Sequence, residues 1–479
     1  MNSRFINITP PDDAKVAPDA NGVSSSQTRF AVNRAYLSLL AATASLGGLL
    51  FGFDIAIITG AGPYLVQHFA LDDVSLGWAF SSLLFGCVVG SAITGRLTDV
   101  YGRVGLMRWI ALLFAVTSIA TGLAANFSMF IVGRFIGGLA VGGASMLAPM
   151  YVAEVSPPAL RGRMGTLYQL SIVLGIVVSY CINYGLRDSG PANWRWMFIT
   201  GVIPAVVFLV LLVRAPESPR YLCKAGRKEE AYSILRRIVG HDEAAREMHE
   251  IRQSLVLTAD VRANLAMPEV RRMLAVGFGL AILVHVSGIN TIVDYAPKIF
   301  QSAGFTMDAA LFSTFIIGAT MCVCTVISFW IIDRYGRKPL YVVGSLGMAL
   351  ALSLLSVCVV IGRFHGPVVL GLIMVYIAFF SACIGPVFWT IVPEIFPNRI
   401  RGTAMAVPVL TQWVANAFVV LLFPVAFSHL GKAATFAFLA LMCLVQAIFM
   451  WRYVPETKNL TLEKIEEFWK SPFGTVRQL

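Results

Sequence analysis

The motif Asp99-Val100-Tyr101-Gly102-Arg103 recurs farther along the chain as Asp333-Arg334-Tyr335-Gly336-Arg337, and this recurrence is the main sequence evidence for the fold. Two more pairs repeat in the same order: Glu154 with Arg161-Gly162 and Glu394 with Arg401-Gly402, then Pro216-Glu217-Ser218 and Pro455-Glu456-Thr457. Each second copy follows the first by about 240 residues, so one unit of the chain is duplicated. A duplicated membrane unit is typical of transporters built from two halves, with the solute site between them near the middle of the bilayer.

The composition places that unit in a membrane. Of the 479 residues, 57% are hydrophobic and 13% are charged, whereas about 25% are charged in soluble domains. A globular protein could not bury so much apolar surface, so we predict a polytopic membrane protein. The basic residues behind the net charge of +11 gather beside apolar segments, which fits the positive-inside rule better than nucleic-acid binding.

Twelve apolar runs are long enough to span about 30 Å of hydrocarbon, and we number them spans 1 to 12. They lie at about 36–59, 76–97, 105–125, 127–150, 164–186, 194–214, 271–300, 309–332, 339–362, 367–396, 402–426 and 433–453. The loops after spans 2, 4, 8 and 10 form a basic face with Arg96, Arg103, Arg108, Arg161, Arg163, Arg334, Arg337, Lys338, Arg399 and Arg401. The loops of the opposite face hold only Arg187, Arg195, Lys298, Arg363 and Lys432. We therefore expect the basic face and both termini to lie in the cytoplasm.

The spans and loops together predict the domain organisation. We expect a disordered cytoplasmic tail (1–34), two six-helix bundles (35–214 and 271–454), a charged linker (215–270) and a second cytoplasmic tail (455–479). In the linker, the helical spacing of apolar residues in Glu229–Arg237 predicts short amphipathic helices. A flexible linker is the alternative.

Span 7 carries polar groups that packing alone does not explain. Within Leu283–Phe300 it contains His285, Ser287, Asn290 and Asp294, and it is interrupted by Gly288 and Pro297. Polar groups within the hydrocarbon core of a bilayer cost several kcal/mol unless they are paired or hydrated. Broken helices are tolerated where protein covers them or where they line a watered cavity. We therefore predict that this stretch forms the centre of a solute site.

The repeated charges lie where helices reach the basic face. They are Asp99, Arg103, Glu154 and Arg161 in the first half, and Asp333, Arg337, Glu394 and Arg401 in the second. Opposite charges at helix ends can hold neighbouring helices together. We predict that these residues form a latch, which closes the cytoplasmic side in one state and separates in the other. The alternative is that they only fix the topology.

The motifs identify a family when they are taken in order. They are Gly95-Arg96 through Gly102-Arg103, Gly133-Arg134, Glu154 with Arg161-Gly162-Arg163, Pro216-Glu217-Ser218-Pro219-Arg220, Ser287-Gly288-Ile289-Asn290, Asp333 to Arg337, and Pro455-Glu456-Thr457. Over residues 35–460 the chain resembles the sugar porter family of the major facilitator superfamily, which includes bacterial xylose–proton symporters and facilitative glucose transporters. The resemblance implies an all-α fold with twelve transmembrane helices in two pseudo-symmetric bundles, which alternate access without ATP.

The resemblance also implies a proton-coupling pair. In the family's proton symporters an aspartate and an arginine that match Asp54 and Arg134 form this pair, and facilitative members lack the carboxylate. Asp54 would then bind the proton, and Arg134 would tune its pKa. A carboxylate inside an apolar span is normally either paired or protonated. The alternative is that Asp54 is a helix-end residue in headgroup water.

Further matches imply which side chains contact the solute. They are the amides Gln169, Asn290, Gln412 and Asn416, the tryptophans Trp389 and Trp413, and the apolar walls Phe51 and Phe380. Amides suit a polyhydroxylated solute because one side chain both donates and accepts hydrogen bonds. For each residue, helix–helix packing is the alternative.

Four positions depart from the family pattern. Val284 and His285 stand where the family usually has two glutamines, Asp294 stands in place of a tyrosine, and Met321 replaces an asparagine of span 8. Val284 and Met321 each remove an amide, and His285 and Asp294 add titratable groups. A lone histidine is more often a satisfied core residue, but the changes gather around one site. We therefore expect altered specificity, with His285 and Asp294 among the solute-binding residues.

The expected function is proton-coupled uptake of a monosaccharide or polyol through a bacterial inner membrane. The partners are then the solute, the proton and the lipid bilayer, and we expect a monomeric functional unit. Facilitated diffusion and a transporter-like sugar receptor are the alternatives. The sequence has no Walker A motif, metal cluster or paired catalytic carboxylates, and its eight cysteines are scattered. We therefore expect no enzyme activity, cofactor, bound metal or nucleic-acid partner.

Overall fold

A computed structural model of the chain describes residues 32–256, 267–396, 404–458 and 469. Within these ranges the side chains of residues 158, 159, 161–163, 166, 254–256, 333 and 393 are not described. Most of the two predicted tails lies outside the described residues, as does Arg401 of the predicted latch. The side chains of Arg161 and Asp333 lie outside them as well.

Every regular element in these ranges is helical, and twelve segments are long and apolar enough to cross a membrane. Spans 1 to 12 contain Arg34–Phe69, Asp73–Tyr101, Arg103–Gly122, Phe127–Val155, Pro158–Leu186, Asn193–Ile199 with Val202–Arg214, Pro268–Val286 with Ile289–Asp294, Met307–Tyr335, Arg337–Val360, Gly366–Phe379 with Gly385–Ile395, Ala406–Val425 and Lys432–Tyr453. The predicted fold class of twelve transmembrane helices is confirmed.

Span 7 is broken near the residues that the sequence indicates. The helix Pro268–Val286 ends before Gly288, which has a φ of +94° that residues with a Cβ rarely adopt. The chain resumes as Ile289–Asp294 and then, with Pro297 in its first turn, as Ala296–Ser302. Protein covers the break, where the hydroxyl of Tyr376 donates to the main-chain carbonyl of Ser287 at 3.1 Å.

Small residues let the helices of each half approach closely. Spans 2 and 4 meet at Gly86 and Gly138, where an added Cβ would lie 2.1 Å from the carbonyl oxygen of Phe135 and 2.0 Å from that of Leu83. Close backbone contact of this kind supports helix packing in lipid, where the hydrophobic effect offers little. The two halves meet along spans 2 and 11 and along spans 5 and 8.

Between the halves, the described part of the linker forms three short helices, Pro219–Lys224, Lys228–Val239 and His241–Val256. The middle helix buries one face, which contains Ala231, Ile234, Leu235, Ile238 and Val239. It packs against the other two helices and against the start of span 1, where the amide of Asn33 donates to the carbonyl of Ile238 at 2.9 Å. The amphipathic pattern therefore serves to attach these helices to the first half.

Candidate solute and proton site

A cavity of about 140 Å³ lies between the two halves at mid-span. Its walls include all ten residues that the sequence indicates for solute binding: Phe51, Gln169, His285, Asn290, Asp294, Phe380, Trp389, Gln412, Trp413 and Asn416. The departures Val284 and Met321 line it too. A buried water needs roughly 10–15 Å³ of such volume, so the cavity holds about ten water-sized groups, the size of a small monosaccharide.

Aromatic side chains shape the cavity from both halves. The ring of Phe51 on span 1 meets that of Trp413 on span 11 edge to face, with centroids 5.3 Å apart. Span 10 widens into a π-helical turn at Phe380–Ile384, which is a common local irregularity at functional sites. The turn brings Phe380 to the wall beside Trp389, whose ring lies 5.4 Å from that of Phe388.

The polar groups on span 7 keep free hydrogen-bonding capacity. The amide nitrogen of Asn290 lies 3.4 Å from Nδ1 of His285, which is a long contact. Within the described part of the chain, Nε2 of His285 has no well-formed hydrogen bond, although Gln412 lies near enough to interact with the imidazole. The indole nitrogen of Trp413 is also buried, with no partner among the residues that the structure describes. Buried polar groups are rarely left unpaired, so such groups indicate a site that is completed by a ligand or by water.

The structure brings together the two residues of the predicted coupling pair. Nη1 of Arg134 donates to Oδ1 of Asp54 at 2.6 Å and to the main-chain carbonyl of Asp54 at 3.2 Å. Both residues are buried, and Asp54 lies in the middle of the helix Arg34–Phe69 and not at its end. Its neighbours Gly52 and Ile55 line the cavity. The ion pair therefore lies directly behind the part of span 1 that lines the cavity.

Aromatic packing and ion pairs close the cavity toward the opposite face. The ring of Tyr295 stacks between Phe80 of span 2 at 4.5 Å and Phe423 of span 11 at 5.2 Å. Nearer that face, Lys298 binds Asp73 at 2.6 Å, and Arg187 binds Asp308 at 3.3 Å. Both ion pairs join one half to the other. Sequence reasoning missed this closure, because its partners come from distant parts of the chain.

At the basic face, the repeated charges form two similar clusters. In the first, Arg103 makes two hydrogen bonds to Glu154 at 2.8 and 2.9 Å, and the hydroxyl of Ser218 donates to the same carboxylate. In the second, Arg337 contacts Glu394 at 3.4 Å. Each pair joins neighbouring helices of one half and does not cross between the halves. Asp99 takes no part in these pairs and binds Lys224 on the linker at 2.9 Å instead.

Sequence reasoning also missed the role of two glutamates, Glu217 and Glu456. Glu217 accepts hydrogen bonds from the amides of Arg103 and Val104 at the start of span 3. Glu456 does the same for Arg337 and Lys338 at the start of span 9. A carboxylate at a helix N-terminus satisfies free N–H groups and the helix dipole. The sequence signal for this role is the recurrence of a glutamate after spans 6 and 12, which by itself indicates only duplication.

Known proteins confirm the family. Residues 40–469 match the family model described as "Sugar (and other) transporter". The arabinose–proton symporter of Bacillus subtilis (strain 168) is 37% identical over 441 residues, covering 91% of this chain and 95% of that protein. The D-xylose–proton symporter of Escherichia coli (strain K12) is 36% identical over 477 residues, covering 91% and 96%.

Solved structures agree with the sequence comparison. The inward-open xylose transporter XylE from E. coli has a TM-score of 0.80 and 34% identity, covering 91% of this chain and all of that one. Twelve membrane-crossing helices and these relatives make this a multi-pass membrane protein and a transporter, not an enzyme. The chain belongs to the sugar transporter family of the major facilitator superfamily.

Proposed function

We propose that this protein couples the uptake of a monosaccharide or polyol to a proton by alternating access. The observation that carries the proposal is the buried Asp54–Arg134 ion pair, which lies directly behind the wall of a solute-sized cavity. The similar proteins from B. subtilis and E. coli that are named arabinose–proton and D-xylose–proton symporters support it.

The cavity supplies the chemistry that a sugar or polyol needs. Hydroxyl groups both donate and accept hydrogen bonds, as do the amides of Gln169, Asn290, Gln412 and Asn416 that line it. The C–H face of a sugar ring is apolar and would pack against Trp389 or Trp413. Val284 and Met321 add apolar surface to the wall, so the preferred solute should have fewer hydroxyl groups to satisfy there than a typical hexose.

Proton binding to Asp54 would act through its partner Arg134. An ionised Asp54 holds the guanidinium, and a protonated one releases most of that attraction. Span 1 carries Asp54, and Phe51 and Ile55 on the same helix line the solute cavity. A movement of span 1 would therefore change the surroundings of both the proton on Asp54 and the bound solute. Proton and solute binding would thereby favour the same change of state.

The direction of transport follows from the two faces. We assign the basic face to the cytoplasm of a bacterial inner membrane, with both termini on that side. Because the opposite face is closed by Tyr295 and by the Lys298–Asp73 ion pair, this structure would correspond to an inward-facing state. The bundles 35–214 and 271–454 would move as units, each a part of one monomer.

The basic-face charges would then stabilise each half as a unit. Arg103–Glu154 ties span 3 to span 4, and Arg337–Glu394 ties span 9 to span 10. Neither pair crosses between the halves here, and closure of the cytoplasmic side by these residues in the other state stays a prediction. They would hold the helices of one half together while that half moves.

Transport in proteoliposomes tests the function with the variant Asp54→Asn. We expect the wild type to accumulate a solute from a panel of pentoses, hexoses, polyols and cyclitols when a proton gradient is imposed. Asp54→Asn should lose accumulation and solute-driven proton uptake but keep counterflow, because the solute cavity is unchanged. Asp72→Asn, at an exposed helix cap, is the matched control. Intact solute-driven proton uptake in Asp54→Asn would favour facilitated diffusion instead.

A further inference from the structure

Asp294 is a buried carboxylate that the proposed cycle leaves unused. It ends the short helix Ile289–Asp294 in the second half, lines the cavity and is 3% exposed. Its Oδ1 has no hydrogen-bond partner in the part of the chain that the structure describes. An ionised carboxylate in such surroundings is costly unless a proton or a cation neutralises it.

Arg134 has unused hydrogen-bonding capacity as well. Only its Nη1 bonds to Asp54, while Nε and Nη2 are buried and have no partner among the described residues. Span 1, which carries Asp54, packs against the helix Ile289–Asp294 of the other half, so Asp294 approaches the Asp54–Arg134 pair from across the boundary and interacts electrostatically with Arg134. One guanidinium therefore lies within electrostatic reach of two carboxylates, one on each half.

The other titratable groups near Asp294 do not replace Arg134. They are Asp54 on span 1, Tyr180 on span 5, His285 in span 7, and Tyr295 and Lys298 on the helix that follows. Lys298 is already paired with Asp73 toward the opposite face. Span 11 contributes amides and a tryptophan to this part of the cavity. Within the described residues, Arg134 is the cation that influences Asp294.

We propose that Asp54 and Asp294 share one proton and one guanidinium, so that whichever carboxylate is ionised pairs with Arg134. In this structure Asp54 holds Arg134, and the proton belongs on Asp294. When the proton passes to Asp54, Arg134 exchanges its partner and binds Asp294, which forms an ion pair between the two halves.

The exchange conserves charge. Before and after it, the three groups hold one proton, one guanidinium and one carboxylate anion, so the cluster is neutral. It gains one negative charge only when the proton leaves to the water of the cavity, which Asp294 faces. Because the ion pair lies within one half in the first state and between the halves in the second, proton position would bias their relative position. This consequence rests on the proposed proton symport.

Infrared spectroscopy of the full-length protein tests the sharing without measuring transport. At neutral pH the wild type should show the C=O stretching band of one protonated buried carboxyl. We expect that band to vanish in Asp294→Asn and equally in Asp54→Asn, because the remaining carboxylate then always pairs with Arg134. Asp294→Glu should keep the band and shows that changes at this position are tolerated. If the band survives in Asp54→Asn, Asp294 holds its proton independently of Asp54 and the sharing proposal is wrong. Absence of the band in the wild type would also overturn the proposal.

Transport separates this role from solute contact. We expect Asp294→Asn to lose both proton-driven accumulation and solute-driven proton uptake, and we expect Asp294→Glu to restore both. A raised counterflow KM with intact coupling would make Asp294 a solute contact only. If Asp294→Asn stays fully coupled while Asp54→Asn is uncoupled, the sharing proposal fails and the proposed symport stands.

Discussion

The two halves carry the same cluster of charges at the basic face, but the ion pair of the first half is shorter and more buried than that of the second. In the first half Arg103 donates two hydrogen bonds to Glu154, and the two side chains are 8% and 11% exposed. In the second, Arg337 and Glu394 make one contact of 3.4 Å, and their side chains are 18% and 30% exposed. Duplication thus fixes which groups meet, while the burial around them determines how much each contact contributes.

The halves also divide the chemistry of the central site. The first half contributes the charges Asp54 and Arg134, which bond to each other within that half. The second supplies most of the polar groups of the cavity, with His285 and Asp294 incompletely bonded. A pseudo-symmetric scaffold can therefore place a buried ion pair in one half and most of the polar cavity wall in the other.

The largest shift between conformational states should come from preventing the halves from meeting. A Cβ added at Gly77 on span 2 would lie 2.2 Å from the carbonyl oxygen of Leu421 on span 11. Overpacking of this kind costs about 1–3 kcal/mol, so Gly77→Ala should shift the population about 5- to 150-fold toward a state with the opposite face open. The rate at which an impermeant thiol reagent labels Phe80→Cys should rise accordingly.

The control for that experiment is a glycine on the same half. Gly185 lies near the opposite-face end of span 5, and an added Cβ there meets nothing within 4 Å. Gly185→Ala should leave the labelling rate of Phe80→Cys unchanged. Equal rates in both glycine variants would mean that contact between spans 2 and 11 does not determine which face is closed.

The second prediction compares the two clusters directly. Glu154→Gln leaves a buried guanidinium without its counter-charge, which typically costs about 3–5 kcal/mol. Glu394→Gln disturbs a longer, partly exposed pair and should cost about 1 kcal/mol or less. Thermal unfolding in the same detergent should therefore show a clearly larger fall in apparent Tm for Glu154→Gln. Equal falls would show that burial does not distinguish the halves.

Local pattern and family resemblance predicted the spans and the walls of the site, for a physical reason. Each span must satisfy its own backbone in lipid, so its length and apolar character are visible in one stretch of sequence. Residues such as Gln412 and Asn416 stand out because amides are costly on a lipid-facing surface. The break at Gly288 was visible for a similar reason, because glycine readily adopts its backbone angles.

Contacts between distant segments could not be predicted in that way. Asp99 occupies a repeated motif, yet it binds Lys224, which has no counterpart in that motif. The stacking of Tyr295 on Phe80 joins span 2 to the end of span 7, and nothing in either stretch indicates the other. The unused donors of Arg134 likewise depend on the packing of several helices. Such features follow from three-dimensional packing and not from spacing along the chain.

The smallest expected effect concerns the feature that the halves share most closely. Glu217 accepts hydrogen bonds of 2.9 to 3.4 Å from three main-chain amides at the start of span 3, and Glu456 accepts two of 3.0 and 3.1 Å at the start of span 9. Each lies beside a glycine with positive φ. Gln in either position keeps an acceptor but loses the charge that faces the helix dipole, so each variant should cost about 1 kcal/mol. Apparent Tm should fall by similar amounts in Glu217→Gln and Glu456→Gln, unlike the unequal pair above. A much larger fall in Glu217→Gln would mean that the first half is more tightly held throughout, and that its stronger ion pair is only one sign of this.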